Sequence, residues 1–426
     1  MPNRSLEEWL EEIETRHPSE IDLGLDRVSA VWERLKQDIP LSVVADPVSI
    51  IVAGTNGKGS CVAAMQALLL QHGYSVGAFT SPHFLHYSER IRIDGVAVSD
   101  DNIVLAFELI ESVRAEISLT YFEFNALAAL TIFRQANLDA VLLEVGLGGR
   151  LDAVNIIDAD VAILSSVDLD HQDWLGNTRS EIAQEKLGVA RAGKPLVVGE
   201  TNLPDGFYKM VENIGAEPLY KGKDFSVDDD GPAGQFSVSL RTNEDTLLIP
   251  HITHHNLLPA NIALALQALV SAGFALDPQN SCDALGSLTL AGRQQKIKFK
   301  NLNLLLDVAH NPAAARVLAS NMPAVKGTTF AVASVLSDKD WTGIVAELGV
   351  SIDIWLLGKI TDNHRAMEPQ TLSEVVYNAG LKGSCFDSVE LAFNEAIHLA
   401  CPDDQIIVFG SFHTVSSVLT IIAKEG

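Results

Sequence analysis

The sequence has few cysteines, few basic residues and no long apolar run, and each shortage excludes a class of protein. Its four cysteines form no CxxC pair, so neither a disulfide scaffold nor a zinc site is predicted, and a reducing cytoplasm is the expected location. Lys and Arg total 30 against 55 Asp and Glu, which argues against nucleic acid as a partner, because such proteins neutralise phosphates with a basic face. No apolar run approaches the roughly 18–20 residues that cross a bilayer, and the acidic start lacks the pattern of a signal peptide. Neither nucleic acid nor a membrane is therefore an expected partner.

What the sequence does contain is an alternation of short β-branched runs and helix-like segments. Val48–Ala53 predicts a buried parallel strand, and Ser60–His72 predicts a helix that stops at Gly73. The same reasoning predicts further strands and helices at Val76–Thr80, Asn125–Ala136, Ala140–Val145, Val161–Ser165, Thr178–Ala190 and Leu196–Val198. Strands that alternate with helices predict βαβ units and a doubly wound sheet.

A short stretch interrupts this alternation before a second one begins. Phe236–Leu240 and Thr246–Ile249 alternate polar and apolar residues, which predicts a small antiparallel excursion. Beyond Arg293 the strand and helix pattern returns. Because 426 residues are many for one hydrophobic core, we predict two domains. The first, over 1–294, is a P-loop-type doubly wound α/β domain, and the second, over 295–426, is a smaller Rossmann-like α/β domain.

The segment Gly54–Ser60 (GTNGKGS) carries the clearest chemistry. It lies between a predicted strand and a predicted helix, where backbone amides and the helix N-terminus can cradle phosphates. Lys58 would neutralise phosphate charge. The segment departs from the common GxxxxGK[ST] pattern, because Gly59 separates Lys58 from Ser60. A glycine-rich turn with a lysine is often only structural, so it is the position between strand and helix that favours a nucleotide site.

Three further groups of polar residues follow predicted strands. Glu144 ends one strand, and His171 lies in the acidic stretch after another, so the two could hold a hard cation such as Mg²⁺ at the carboxyl edge of the sheet. Asp307 and His310 follow a strand in the second domain, where they could meet ribose hydroxyls and the γ-phosphate. The alternative for any single acid is that it only caps a loop or helix.

Taken in order, the motifs resemble the folylpolyglutamate synthase family, a relative of the cell-wall peptide (Mur) ligases. The resemblance covers nearly the whole chain. It rests on the GTNGKGS loop and on Ile21–Leu25, Thr80–His83, Glu89–Arg92, Leu119–Glu123, Glu144–Asn155 (EVGLGGRLDAVN), Asp170-His171, Glu185-Lys186, Ala291–Arg293, Asp307–Pro312 (DVAHNP) and Gly410–His413. The Mur ligases carry an extra N-terminal domain, whereas only about fifty residues precede Gly54 here, which favours a folate substrate.

The resemblance implies a role for each matching position. The catalytic residues would be Lys58, Lys186, Asp307 and His310, with Lys186 matching a lysine that the family carboxylates to a carbamate. ATP would be bound by Thr55, Asn56, Gly57, Lys58, Gly59, Ser60, Asn261, Arg293 and Asp307. Mg²⁺ would be bound by Ser81, Glu144 and His171. The pterin would contact Asp22, Leu23, Gly24, Leu25, Thr120, Tyr121, Phe122, Glu123, Leu151, Asp152 and Ala153.

The activity implied by this resemblance is an ATP-dependent ligase that adds L-glutamate to dihydropteroate and to folyl-glutamates through an acyl phosphate. The expected cofactors are ATP and Mg²⁺, with a monovalent cation as a further option, and the expected state is a monomer. Three alternatives stay open: folylpolyglutamate synthesis only, a small-molecule kinase with a similar phosphate loop, and a non-catalytic nucleotide-binding switch.

Overall fold

The computed structural model describes residues 4–19, 21–39, 46–228, 234–243, 245–253, 256–361 and 363–425. The chain divides into two compact units. The first contains the residues up to His83 and Tyr87–Leu288, and the second contains Phe84–His86 and the residues from Thr289 onward. Within the residues described, no helix has both the length and the apolar character needed to span a membrane.

The first unit is built on an eight-stranded sheet in the order β4-β3-β2-β5-β1-β6-β7-β8. All neighbours from β2 to β8 pair in parallel, and β3 and β4 are antiparallel additions at one edge. The strands are β1 Val48–Ala53, β2 Val76–Phe79, β3 Ile91–Ile93, β4 Val96–Ala97, β5 Ala140–Glu144, β6 Val161–Leu164, β7 Pro195–Val198 and β8 Glu217–Tyr220. Helices cover both faces, which explains why every residue of β5 and β6 is buried.

The helices of this unit are α1 Leu6–Arg16, α2 Asp26–Asp38, α3 Lys58–Gln71, α4 Asp100–Arg114, α5 Tyr121–Gln135, α6 Gln172–Leu175, α7 Arg179–Leu187, α8 Phe207–Ile214, α9 Pro259–Ser271 and α10 Pro278–Ser287. Short 3-10 turns lie at Tyr87–Arg90 and Ala153–Ile156. The predicted excursion is a separate antiparallel sheet of β9 Ser226–Asp228, β10 Gln235–Arg241 and β11 Thr246–Thr253. The helix expected from Asn125 begins earlier, because Thr120 and Glu123 form a capping box.

The second unit contains a six-stranded sheet in the order β12-β13-β17-β14-β15-β16, parallel except for β12. Its strands are β12 Gln295–Phe299, β13 Leu302–Leu306, β14 Thr329–Ala333, β15 Ile354–Gly358, β16 Gly383–Phe386 and β17 Gln405–Phe409. Its helices are α11 Pro312–Asn321, α12 Trp341–Leu348, α13 Pro369–Asn378, α14 Val389–Leu399 and α15 Phe412–Glu425, with a 3-10 turn at Gly349–Ser351. Two apolar clusters of buried residues pack within this unit.

The boundary between the units differs from the predicted one at 294. The structure divides the chain after Leu288, because the segment that follows is tied to the second sheet. The Val308 amide donates to the Gly292 carbonyl at 2.9 Å, and the Gln294 amide donates to Asp307 Oδ2 at 2.8 Å. The residues before β12 therefore belong to the second unit rather than the first.

Candidate active site

The phosphate-loop segment Gly54–Gly57 connects β1 to α3 at the carboxyl edge of the large sheet. Gly54 has a φ of 154°, and a Cβ there would overlap the Ser165 hydroxyl, so only glycine fits. Gly57, with a φ of 89°, is the N-cap of α3, which begins at Lys58. The first amides of a helix lack intrahelical partners, so the amides at the start of α3 are the natural donors to an anion.

The amides of Thr55 and Asn56 are used inside the protein. The Thr55 amide donates to the Ser166 carbonyl at 2.9 Å, and the Asn56 amide donates to the Ser166 hydroxyl at 2.9 Å. In return the Ser165 hydroxyl donates to the Asn56 carbonyl at 2.6 Å. These bonds tie the phosphate loop to the stretch after β6. The sequence assigned Thr55 and Asn56 to ATP together with the rest of the loop, but their amides already have acceptors.

Lys58 is the cationic residue of the phosphate-loop motif. Its ammonium donates to the Gly54 carbonyl at 3.0 Å and is 3.4 Å from the Thr55 carbonyl. Its positive charge also lowers the pKa values of two buried groups that are predicted to be functional, Lys186 and Asp152. The fold therefore holds the lysine on its own loop, within electrostatic range of both groups.

Two of the three predicted metal ligands come together. Glu144 ends β5, next to β1, and only 5% of its surface is exposed. The Ser81 amide donates to Glu144 Oε2 at 3.1 Å, and a Cβ on Gly59 would lie 3.4 Å from the same oxygen. A buried carboxylate beside a hydroxyl residue and the phosphate loop supplies the hard oxygen donors that suit Mg²⁺.

The third predicted ligand, His171, follows β6 and precedes the short helix α6. Its backbone is left-handed, with a φ of 51°, and its Nε2 is 3.9 Å from Asp170 Oδ2. Across the described residues, no group of three or more His, Cys, Asp and Glu side chains is arranged to hold a metal ion. Of the three predicted ligands, only Glu144 and His171 are of these residue types, and only Glu144 is anionic. A divalent cation would therefore be better neutralised with a second anionic ligand.

Lys186 is a buried amine on α7, with 4% of its surface exposed. Burial, together with the charge of Lys58, lowers the pKa of Lys186 to about 7, while the carboxylate of Asp170 raises it. An amine with such a pKa is substantially neutral at physiological pH. Neutral amines are the form that reacts with carbon dioxide, so the environment fits the carbamate predicted for this position.

The predicted pterin residues lie on three segments of the first unit. Thr120 caps α5, and its amide donates to Glu123 Oε2 at 2.7 Å. Glu123 Oε1 is also 3.2 Å from Arg27 Nη2, and Arg27 Nη1 donates to Asp22 Oδ2 at 2.7 Å. Arg27, which the sequence did not suggest, therefore joins two predicted segments. Arg27 lies in the first turn of α2, a helix that was not predicted from the sequence, and predicting that helix could have drawn attention to Arg27.

The third predicted segment, Leu151–Ala153, is organised by Asp152. Its carboxylate accepts hydrogen bonds from the amides of Gly146, Leu147 and Val154 at 3.0, 2.9 and 3.1 Å. Burial raises the pKa of Asp152 to about 6, although these bonds and the charge of Lys58 act in the opposite direction. The carboxylate thus shapes the loop after β5.

Aromatic side chains line the same region. A Cβ on Gly146 would lie 2.6 Å from the Phe122 ring, so this glycine allows the ring to pack on the backbone. The Phe122 ring centroid is 5.9 Å from that of Phe79, and Tyr121 packs against Tyr87. Leu23 and Gly24 precede α2, and within the described part of the chain a Cβ on Gly24 would meet no heavy atom within 4 Å apart from its chain neighbours. Leu25 is the N-cap residue of that helix.

Asn261 reaches the phosphate loop from far along the chain. It lies in the first turn of α9, and its Oδ1 would be 2.6 Å from a Cβ on Gly57. The thiol of Cys61 on α3 donates to the Asn261 carbonyl at 3.6 Å. The sequence placed Asn261 among the ATP-binding residues by resemblance, and the structure places it directly beside the loop.

In the second unit, Asp307 and His310 follow β13, and Arg293, which precedes β12, acts electrostatically on Asp307. Asp307 Oδ1 accepts from the Ala309 amide at 2.8 Å, and His310 Nδ1 is 2.8 Å from the Val308 carbonyl. Burial raises the pKa of Asp307, opposed chiefly by the positive charge of Arg293. The Arg293 guanidinium lies 5.0 Å from the centre of the Phe412 ring.

Comparison with known proteins identifies the family. Residues 292–412 match the family described as Mur ligase, glutamate ligase domain. A dihydrofolate synthase/folylpolyglutamate synthase of Escherichia coli (strain K12) is 39% identical over 421 residues, covering 98% of this chain and 95% of that protein. The chain belongs to the dihydrofolate synthase/folylpolyglutamate synthase family. It is therefore an ATP-dependent ligase, and the family resemblance read from the motifs is confirmed.

Solved structures of the dihydrofolate synthase/folylpolyglutamate synthase family share the fold over the whole chain. The Escherichia coli enzyme FolC in complex with DHPP and ADP has a TM-score of 0.91 at 37% identity, covering 100% of this chain and 99% of that one. A bifunctional folylpolyglutamate synthase/dihydrofolate synthase with Mn, AMPPNP and L-glutamate bound has a TM-score of 0.89 at 38% identity, with 99% of both chains covered. The predicted fold class is confirmed.

Proposed function

We propose that this ligase adds L-glutamate to dihydropteroate in one reaction and to folyl-glutamates in another. The observation that carries the proposal is the contact of three sequence-distant motifs at one edge of the sheet. Glu144 accepts a hydrogen bond from Ser81 and lies beside Gly59 of the phosphate loop. Phosphate-binding amides and hard oxygen ligands are thereby adjacent, which is the arrangement that phosphoryl transfer from a nucleotide requires.

The reaction needs activation because a carboxylate is a poor electrophile. An oxygen of the substrate carboxylate attacks the γ-phosphorus of ATP, the bond to the bridging oxygen breaks, and ADP leaves. The glutamate nitrogen then attacks the acyl carbon, loses a proton and expels phosphate. Lys58 and the amides that begin α3 stabilise the charge on the transferring phosphoryl group. Mg²⁺, when bound, would neutralise phosphate charge, and Ser81, Glu144 and His171 would hold it.

Lys186 has a distinct role in the proposal. As an ammonium beside Lys58 it would add positive charge where a cation is to bind. As a carbamate it would offer an anionic oxygen instead, and its depressed pKa favours the neutral amine from which the carbamate forms. This would supply the anionic ligand that the predicted set lacks.

The remaining assignments complete the proposal. Asn261 in the first unit, and Arg293, Asp307 and His310 in the second, are proposed to contact ATP or the transferring phosphate. The three segments that contain Asp22, Glu123 and Asp152 are proposed to bind the pterin, with Asp152 acting through the loop that it shapes. A monovalent cation as a further cofactor, a monomeric state and a cytoplasmic location are also proposed.

The test is ATP turnover by the purified protein with Mg²⁺. ADP release should require both L-glutamate and either dihydropteroate or tetrahydrofolate, and mass spectrometry should find a product heavier by one glutamyl residue. Release that is indifferent to glutamate, or a stable phosphorylated product, would overturn the proposal in favour of a kinase. Glutamate-dependent turnover with tetrahydrofolate but not with dihydropteroate would restrict the activity to folylpolyglutamate synthesis.

A further inference from the structure

Arg27, in the first turn of α2, connects two chain segments that are far apart in sequence. Its Nη1 donates to Asp22 Oδ2 at 2.7 Å, and its Nη2 donates to the Asp22 carbonyl at 2.7 Å. The same Nη2 lies 3.2 Å from Glu123 Oε1 at the start of α5. One guanidinium therefore holds Asp22 by both its backbone and its side chain, and reaches Glu123 as well.

The carboxylate of Glu123 depends on this cation. Its side chain is 5% exposed, and its other oxygen, Oε2, accepts the Thr120 amide in the capping box of α5. Oε1 has no hydrogen-bond donor of its own, so the ion pair with Arg27 is its compensation for burial. A buried carboxylate without a counter-charge is strongly destabilising, so the ion pair holds the guanidinium of Arg27 beside Glu123.

The segment before α2 has two further contacts: His17 Nε2 lies 3.6 Å from Asp22 Oδ2, and Leu25 packs against the hydrophobic core. Leu25, the N-cap residue of α2, makes no side-chain capping bond. Among the residues that the structure describes, and leaving out its two chain neighbours, no heavy atom lies within 4 Å of the place that a Cβ on Gly24 would occupy.

We infer that Arg27 is a positioning residue for the pterin substrate, setting the distance between the Asp22–Leu25 segment and the first turn of α5. This inference rests on the proposed function, because both segments are proposed to bind the pterin. Arg27 has no need to touch the substrate. Losing the guanidinium frees the first segment, so the affinity for dihydropteroate and folates falls while the phosphate loop is unaffected.

The experiment separates positioning from stability with three variants. Arg27→Lys keeps a positive charge near Glu123 but has no second nitrogen to span both partners. Arg27→Met with Glu123→Gln removes both charges of the pair, so that no buried carboxylate is left unpaired. Glu123→Gln alone keeps the bonds between Arg27 and Asp22. Arg34→Met on the same helix, where Arg34 donates to the Val113 carbonyl at 2.8 Å, is the matched control.

The expected result is a rise of roughly tenfold or more in KM for dihydropteroate and tetrahydrofolate in Arg27→Lys and in the double variant. The KM for ATP should stay within about twofold, and thermal unfolding should report a folded protein. Arg34→Met should keep the KM values of the unmodified protein, and Glu123→Gln alone should raise the pterin KM less than the double variant.

Two outcomes would overturn the role of Arg27. One is a folded double variant with the pterin KM of the unmodified protein. The other is a Glu123→Gln variant that alone accounts for the whole rise, which would make Glu123 the contact residue. Absence of turnover by the unmodified protein with either pterin substrate would overturn the proposed function itself, and is recognisable before any variant is made.

Discussion

Thr55 and Asp168 hold each other by a reciprocal pair of hydrogen bonds. The Thr55 hydroxyl donates to the Asp168 carbonyl at 3.2 Å, and the Asp168 amide donates to the Thr55 hydroxyl at 3.0 Å. One residue belongs to the phosphate loop, and the other lies in the loop after β6, which also carries His171. These two hydrogen bonds therefore join the segment proposed to bind the nucleotide to the segment proposed to bind the metal.

Replacing Thr55 by valine should weaken ATP binding. The change leaves buried partners unpaired at a cost of about 1–3 kcal/mol, equivalent to roughly ten- to hundredfold in affinity if the loops are held together for binding. Calorimetric titration with ADP and Mg²⁺ measures it. Thr55→Ser, which retains the hydroxyl, should bind almost normally, and Thr15→Val on the exposed part of α1 controls for the substitution itself. Equal affinity for Thr55→Val and Thr55→Ser would contradict the prediction.

Alanine at Gly59 should separate activity from stability. Gly59 is the second residue of α3, and alanine in a helix is favoured over glycine by up to about 1 kcal/mol. The new methyl group would, however, lie 3.4 Å from Glu144 Oε2, where the metal and phosphate are proposed to bind. Turnover should fall by more than about tenfold without loss of thermal stability.

Gly286→Ala is the matched control for that experiment. Gly286 lies on α10, and its nearest neighbour to an added Cβ is the Thr253 carbonyl at 3.8 Å. This variant should keep full activity and gain a similar stability. If the Gly59→Ala enzyme is as active as the Gly286→Ala enzyme, neither the metal nor the phosphate occupies the space between Gly59 and Glu144.

Lys186→Met should stabilise the metal-free protein, and more so at low pH. The folded-state pKa of Lys186 is lowered from 10.5 to about 7, so between these values the unfolded chain binds the extra proton. Stability of the unmodified protein therefore rises with pH across this window, and the burial penalty is greatest below pH 7. The difference in free energy of unfolding between variant and parent should shrink from pH 6 to pH 10. Urea titrations measure it, with Lys209→Met on α8 controlling for the lost charge.

The carbamate on Lys186 should itself depend on pH. The neutral amine attacks the carbon of carbon dioxide, a nitrogen–carbon bond forms and a proton is released, so protonation below a pKa of about 7 suppresses the reaction. In buffer that contains ¹³C-labelled bicarbonate, with ADP and Mg²⁺, a carbamate resonance should appear at pH 8 and be weak at pH 6. It should be missing in Lys186→Met. No labelled signal at pH 8 would exclude the modification.

The sequence could predict what depends on local pattern. β1 and α3 are encoded by an apolar run and a glycine-rich turn, although α3 begins at Lys58, two residues before the predicted Ser60. Glu144 and His171 were placed at the carboxyl edge of the sheet because each lies at or after the end of a predicted strand. The assignment of Asn261 to ATP came from resemblance, and its proximity to Gly57 appears only in the structure, because no local pattern relates residues so far apart. The structure divides the chain after Leu288 rather than at 294, because Gly292 and Gln294 form hydrogen bonds with Val308 and Asp307, and composition does not reveal such bonds.

Other features depended on three-dimensional contacts that no spacing reveals. The resemblance placed Thr55 and Asn56 among the ATP-binding residues, and in the structure the amides of both residues donate to Ser166. The run Thr120–Glu123 suggested substrate binding, yet its T-x-x-E spacing is also a helix-capping signal that places the start of α5. Arg27 acquires its significance only because α2 brings it to Glu123.

The short segment Phe84–His86 belongs to the second unit although residues of the first precede and follow it. The Ser416 hydroxyl donates to the Phe84 carbonyl, and the ring of Phe84 packs on that of Phe412. A gene recombined at one crossover near codon 289 would combine residues 289–426 of one relative with the segment Phe84–His86 of another. Chimaeric proteins made from two relatives should therefore fold most often when Phe84–His86 and α15 come from the same parent.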